Sequence, residues 1–132
     1  VYVPLERFEE FYLQLQKLAL KYAIPAPIQG SALTSVFEIM AEFDFTKVTD
    51  RQKTIRFIED IAKLLASIGG EIAYGAGEGR IFGQYTKINI DQEVLVVYKQ
   101  IKDIFDPQQI LNPGVKAENA AKDLLKIIKN GR

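Results

Sequence analysis

The side chains able to do chemistry in this chain are few. Its 132 residues include no histidine and no cysteine. That excludes Ser-His-Asp hydrolysis, histidine-ligated metals, thiolate metal sites, cysteine nucleophiles and disulfides. Carboxylates, Lys, Arg, Tyr, Ser and Thr remain, together with the chemistry of a borrowed cofactor. Three places gather such residues. Glu38, Glu42 and Asp44 share one parity of an alternating stretch. That acidic face is either solvated surface or the wall of a site or interface. Arg80 follows the glycine loop Gly75-Ala76-Gly77-Glu78-Gly79. A guanidinium there can grip both oxygens of a carboxylate, or serve as a surface ion pair. Asn112 sits in Phe105-Asp106-Pro107-Gln108-Gln109-Ile110-Leu111-Asn112-Pro113-Gly114. Asp106 and Asn112, each before a proline, are pushed out of the helical region, and Gly114 can turn cheaply. Such a rigid connector is either punctuation or a means of laying backbone and one amide against a ligand.

The elements that must position these residues follow from periodicity. Val1-Tyr2-Val3 is a short β signal, and Pro4 suits a first helical turn. Leu5, Phe8, Tyr12, Leu15, Leu18 and Tyr22 recur at helical spacing, predicting a helix from Pro4 to Tyr22 that stops before Pro25. Residues 26–33 read as a strand end and turn. Ser35 to Phe45 reads as the clearest strand, with Phe37, Ile39, Ala41, Phe43 and Phe45 on its apolar face. Thr49 with Gln52 fits a capping box for a helix carrying Ile55, Ile58, Ile61, Leu65 and Ile68, ended by Gly69-Gly70. Glu71 to Tyr74 reads as a strand, and Arg80 to Tyr85 and Thr86 to Ile90 as extended. The glycine loop follows a strand with no helix after it, so the dinucleotide fingerprint fails on context. Asp91 caps a helix burying Val94, Val97, Ile101, Ile104 and Phe105, and Ala117 to Lys129 forms a lysine-rich amphipathic helix. The order is β-α-β-β-α-β with added helices. That is an α+β, ferredoxin-like plan: an antiparallel sheet with helices on one face, plus an extra C-terminal helix.

Composition bounds the partners. Lys+Arg and Asp+Glu both number 17, and no basic excess favours nucleic acid. No apolar run reaches the roughly 18 residues of a membrane span, so a cytoplasmic location is the default. At 48% hydrophobic and 26% charged, the chain has the make-up of one globular domain. It opens at Val1 in strand-like residues, which suggests a piece of a longer polypeptide or a processed product.

Two blocks carry a resemblance. The Phe-Asp-Pro…Leu-Asn-Pro-Gly stretch from Phe105 to Gly114 resembles the C-terminal signature of the FAD-linked oxidases, the group of glycolate oxidase subunits and D-lactate dehydrogenases. Gly69-Gly70-Glu71-Ile72-Ala73-Tyr74-Gly75-Ala76-Gly77-Glu78-Gly79-Arg80 is similar to the family's Gly-Gly segment and the Gly-Glu-His-Gly-x-Gly loop after it. The resemblance covers most of residues 1–116. It implies that residues 1–132 are a substrate-side cap domain, and that FAD is held mainly by an N-terminal domain or companion subunit absent from this chain. It further implies oxidation of a small 2-hydroxy acid such as glycolate or D-lactate, with hydride passing to the flavin.

The resemblance also assigns residues. Asn112 occupies the position where family members bring an asparagine close to the isoalloxazine ring. Arg80 would meet the substrate carboxylate, with Glu38 and Tyr74 as further pocket residues. In the metal-dependent branch, two histidines of one segment and a Glu-His pair of the loop form the metal and base site. Ser31, Glu38, Gly75 and Ala76 fall at those positions here. One carboxylate among four does not make a metal site, so none is expected. The alternative is a non-catalytic assembly or regulatory domain that keeps the oxidase shape. A flavin-binding region encoded upstream separates the two.

Overall fold

The computed structural model describes residues 1–72, 79–83, 85–113 and 115, with the backbone alone at 80, 86 and 89. A 3-10 turn over Leu5–Arg7 leads into α1 (Phe8–Tyr22). Strands β1 (Ile28–Ser31) and β2 (Val36–Ile39) follow, then α2 (Val48–Ser67). A single helical turn α3 (Gly79–Phe82), a 3-10 turn over Thr86–Asn89 and α4 (Gln92–Phe105) complete the described elements. The architecture is α+β.

β1 and β2 pair antiparallel, with Ile28 opposite Ile39 and Ser31 opposite Val36. The first residues of the chain extend this layer. Tyr2 bridges antiparallel to Val36 on one side and to Glu71 on the other. The Phe37 amide donates to the Val1 carbonyl at 2.8 Å, and the Val3 amide to Ser35 at 2.9 Å. Tyr2 and Glu71 exchange both backbone bonds, at 2.8 and 3.0 Å. Across the layer the order is therefore β1, β2, Val1–Val3, Glu71.

The expected strand from Ser35 to Phe45 is cut short. Its pairing with the preceding chain ends with the Met40 amide donating to the Pro27 carbonyl at 2.8 Å. Pro25 and Pro27 have no amide to return, so the ladder cannot continue. Ala41 and Phe43 nevertheless keep their parity and pack against the core.

The core lies between the layer and the two long helices. It joins Val3, Phe11, Leu15, Ala26, Phe37, Phe57, Ile61, Ala62, Leu65, Ile68 and Ile72. Phe8 tilts onto Phe37 at 4.6 Å between ring centroids, and Tyr22 meets Phe57 edge-on at 5.8 Å. The Asp60 carboxylate of α2 accepts from Tyr22 Oη at 2.8 Å and Lys21 Nζ at 2.7 Å, tying α2 to α1. The buried stripe of α1 is rotated from the sequence reading. Phe11 is fully buried, while Leu5 and Tyr12 face solvent, so the seam runs Phe8-Phe11-Leu15-Leu18-Tyr22.

Both predicted caps fail. α2 begins at Val48 behind Lys47, two residues earlier than a Thr49 cap allows, and neither Lys47 nor Asp91 caps through its side chain. Asp44 prepares the start of α2 instead: its carboxylate accepts the Thr46 amide at 3.1 Å, and its carbonyl accepts the Lys47 amide at 3.0 Å. The end of α2 falls where expected. Gly69 takes φ 73°, and the Gly70 amide returns to the Leu65 carbonyl at 2.8 Å. A Cβ on Gly70 would lie 2.7 Å from the Tyr2 carbonyl oxygen, so only glycine lets the chain pass this close to the sheet.

Residues 80–90, expected to be extended, contain α3 and the 3-10 turn instead. The expected helix over 117–129 and the end of the strand through Tyr74 lie outside the described residues. α4 forms as expected but buries none of its residues. Val94, Val97 and Ile101 are exposed, as are Ile104 at 73% and Phe105 at 80%. Their periodicity sets the helix, yet none of them joins or packs against the core cluster.

This difference yields a contrast in urea denaturation of the 132-residue chain. Phe11→Ala is expected to cost about 3–5 kcal/mol of stability. Ile104→Ala is expected to stay within about 0.5 kcal/mol of the parent. Equal losses would mean that α4 is packed into the core after all.

Candidate functional site

The layer has two unlike faces because the side chains of its strands alternate. The register places Phe37, Ile28 and Ile39 toward the helices. Gln29, Ser31, Val36 and Glu38 lie on the other face, joined there by Tyr2 and Glu71 through the bridges. Gln29 Nε2 donates to Glu38 Oε2 at 3.0 Å. That fixes an exposed carboxylate on the open face and leaves its remaining lone pairs to solvent or a ligand.

The three-acid face expected over residues 35–45 is reduced to Glu38, because Glu42 and Asp44 fall beyond the strand. Asp44 belongs to the turn that opens α2. The Thr46 hydroxyl, Lys47 and the Thr46 amide hold its carboxyl down at about 2. It is a structural acid held in the ionised form.

On the helix side, an apolar cavity of about 580 Å³ opens between the β2 continuation, α2 and α3. Phe37, Ile39, Phe43, Phe57, Ile61 and Phe82 are among its walls. Thr54 is its polar side chain, and the Thr54 hydroxyl is already given to the Asp50 carbonyl at 2.7 Å. Such a chamber suits apolar contact and offers little for proton transfer.

The connector after α4 is densely hydrogen-bonded. Asp106 ends α4 and is only 6% exposed. Its two carboxylate oxygens accept the Ile110 amide at 2.9 Å and the Leu111 amide at 2.8 Å. Lys102, one turn earlier on α4, ion-pairs with the same carboxylate and also donates to the Leu111 carbonyl. The Gln109 amide donates to the Asp106 carbonyl at 2.9 Å. Lys102 first, then the two amides, hold the Asp106 carboxyl below its ordinary value, against the opposing effect of burial. Gln109 and Asn112 both take left-handed backbones, φ 54° and 46°. Asn112, expected to be extended before Pro113, instead turns the chain and takes the Val115 amide on its carbonyl at 3.2 Å.

Of the four residues singled out by sequence, Glu38 stands on the open sheet face and Asn112 is exposed on the connector. They are held by separate hydrogen-bond sets, one within the sheet and one within residues 102–115. The Arg80 backbone lies in α3, while its side chain and the whole of Tyr74 lie outside the described residues. The helical turn at Gly79 corrects the expectation that no helix follows the glycine loop, but one turn is too short to make an anion site. Among the described residues, no three acidic side chains gather as a metal site would require. Sequence reasoning missed Asp106 and Lys102. The signal was a lysine four residues before an Asp-Pro at a helix end.

Comparisons with known proteins follow the same outline. A family model described as FAD linked oxidases, C-terminal domain, matches residues 1–115. Glycolate oxidase subunit GlcD of Bacillus subtilis (strain 168) is 24% identical over 112 residues, covering 85% of this chain and 24% of that protein. The chain thus spans about a quarter of the length of that curated relative. No solved structure matches it.

The connector gives a titration with a defined sign. The Asp106 pKa is lowered on folding, so its stabilising contribution is complete above 3.8 and is lost as pH falls through the lower folded value. An NMR titration of its carboxyl carbon should give a midpoint below 3.8, with the Ile110 and Leu111 amide shifts moving at the same pH. A midpoint at or above 3.8 would mean that the carboxylate is not held as described.

Proposed function

The chain belongs to the C-terminal domain family of the FAD linked oxidases, and on that premise we propose that it is the substrate-side domain of a flavin-dependent oxidoreductase. The substrate is a small 2-hydroxy acid such as glycolate or D-lactate. The domain closes the pocket over a flavin held by an N-terminal domain or companion subunit. The observation that carries this reading is the connector, where a hydrogen-bonded loop displays the exposed amide of Asn112.

The residues present fit one end of FAD and not the other. Among the described residues there is no cradle for a diphosphate. The space a Cβ would fill on Gly30 is occupied by the Val36 carbonyl, and on Gly70 by that of Tyr2. An exposed amide is suited to a flavin ring edge, because it can donate and accept there. When bound, the flavin supplies the two-electron acceptor for the substrate. The chain's own residues orient that substrate. Arg80 pairs with the carboxylate, Asn112 meets the ring edge, and Glu38 and Tyr74 border the pocket. The layer order β1, β2, Val1–Val3, Glu71, antiparallel at each step, supports a ferredoxin-like sheet whose polar face looks toward the flavin. A cytoplasmic location accords with this reading.

A second reading, a non-catalytic assembly or regulatory domain of the same shape, is favoured by the complete lack of histidine. The full polypeptide or complex separates the two. With FAD bound, anaerobic addition of glycolate or D-lactate should bleach the visible flavin band. Arg80→Ala should raise the substrate KM by about 10- to 100-fold, the loss of one charge-assisted pair. A bound flavin that no 2-hydroxy acid reduces would favour the assembly reading. The 132-residue chain alone should purify without flavin colour.

A further inference from the structure

The connector holds more bonds than a chain reversal needs. A tight turn is closed by one backbone bond, which the Gln109 amide already makes to the Asp106 carbonyl. Beyond that, a buried carboxylate gathers two successive amides, and Lys102 binds both that carboxylate and the carbonyl of Leu111, the residue before Asn112. Asn112 itself takes φ 46°, a conformation a side-chain-bearing residue keeps only where its surroundings over-determine it. Gln109, also left-handed, is tied back to α4 by its amide nitrogen on Asp103 Oδ1 at 3.0 Å.

We propose that Asp106 and Lys102 are positioning residues for Asn112, a charged clasp that fixes the direction in which its amide leaves the connector. This rests on the reading of Asn112 at the flavin edge. Charge-assisted bonds suit the task because they are shorter and stronger than neutral ones. The geometry is economical: the carboxylate draws the amides of residues 110 and 111 toward α4, and the lysine draws in the carbonyl of residue 111. Leu111, the residue before Asn112, is thereby held at both its amide and its carbonyl. Lys102 lies on α4, so the orientation of the loop is referred to a rigid helix.

The test uses the full FAD-loaded polypeptide, with flavin stoichiometry as the check on folding. The readouts are the visible flavin spectrum and kcat/KM for a 2-hydroxy acid. Asn112→Ala should shift the spectrum and lower kcat/KM. Asp106→Asn should give the same spectral shift and a loss of about 100-fold, the effect of a small misplacement. The double variant should fall within about twofold of the worse single, because both changes break one unit. Lys102→Met should reproduce the Asp106→Asn spectrum and Lys102→Arg should keep the parent's. If Asp106→Asn does not fold, the lysine pair is scored in its place. A spectrum altered by Asn112→Ala but untouched by loss of the clasp overturns the proposal and leaves the flavin reading standing. Additive losses overturn it in the same way. No shift in any variant overturns both.

Discussion

Three residues at the start of the chain hold the sheet together. Val1–Val3 lies between β2 and Glu71 and forms backbone bonds to both sides. Val3 is fully buried among the residues that α1 and α2 also cover. Without this segment, β1 and β2 would be an isolated hairpin, which is marginal in water. The Glu71 end would have no neighbour, and the close passage at Gly70 would serve nothing. The two helices pack on a surface that exists only because the segment completes it.

Around that frame the molecule separates three surfaces by chemistry. The open face of the layer is polar, with Gln29 steadying Glu38. The opposite side is apolar, with a chamber walled by phenylalanines and isoleucines. The connector after α4 is charged within and displays an amide without. An oxidoreductase that borrows its redox group needs its own residues chiefly to orient and to shield. The role proposed for this domain would draw on the exposed amide of Asn112 and the carboxylate steadied by Gln29.

Much of this was legible in the sequence, and the failures share a cause. Periodicity located α1, α2 and α4, and Gly69-Gly70 marked the end of α2, because these signals are local. The alternation from Phe37 to Phe45 reads as one strand, yet alternation reports burial and not pairing. Pro25 and Pro27, distant in sequence, decided where pairing stopped. The stripe on α4 reads as core, although nothing in its own residues tells whether a partner surface is free. The caps at Thr49 and Asp91 were read from residue type, while Asp44 set the start of α2 from outside the helix. The connector was found by its spelling. Its internal carboxylate was not, because an aspartate before a proline reads as turn chemistry whether or not it is buried.

The placement of Tyr2 against Glu71 also bears on the order of events as the chain is made. The middle of the sheet emerges first, but its far neighbour emerges only after α1, both strands and all of α2. Until then Val1–Val3 has one open flank of unpaired amides and carbonyls, and the apolar surfaces of α1 and α2 lack part of their floor. Folding must therefore wait for a distant contact whose loop-closure entropy comes before its reward. This topology trades speed for a sheet whose centre is secured from both sides.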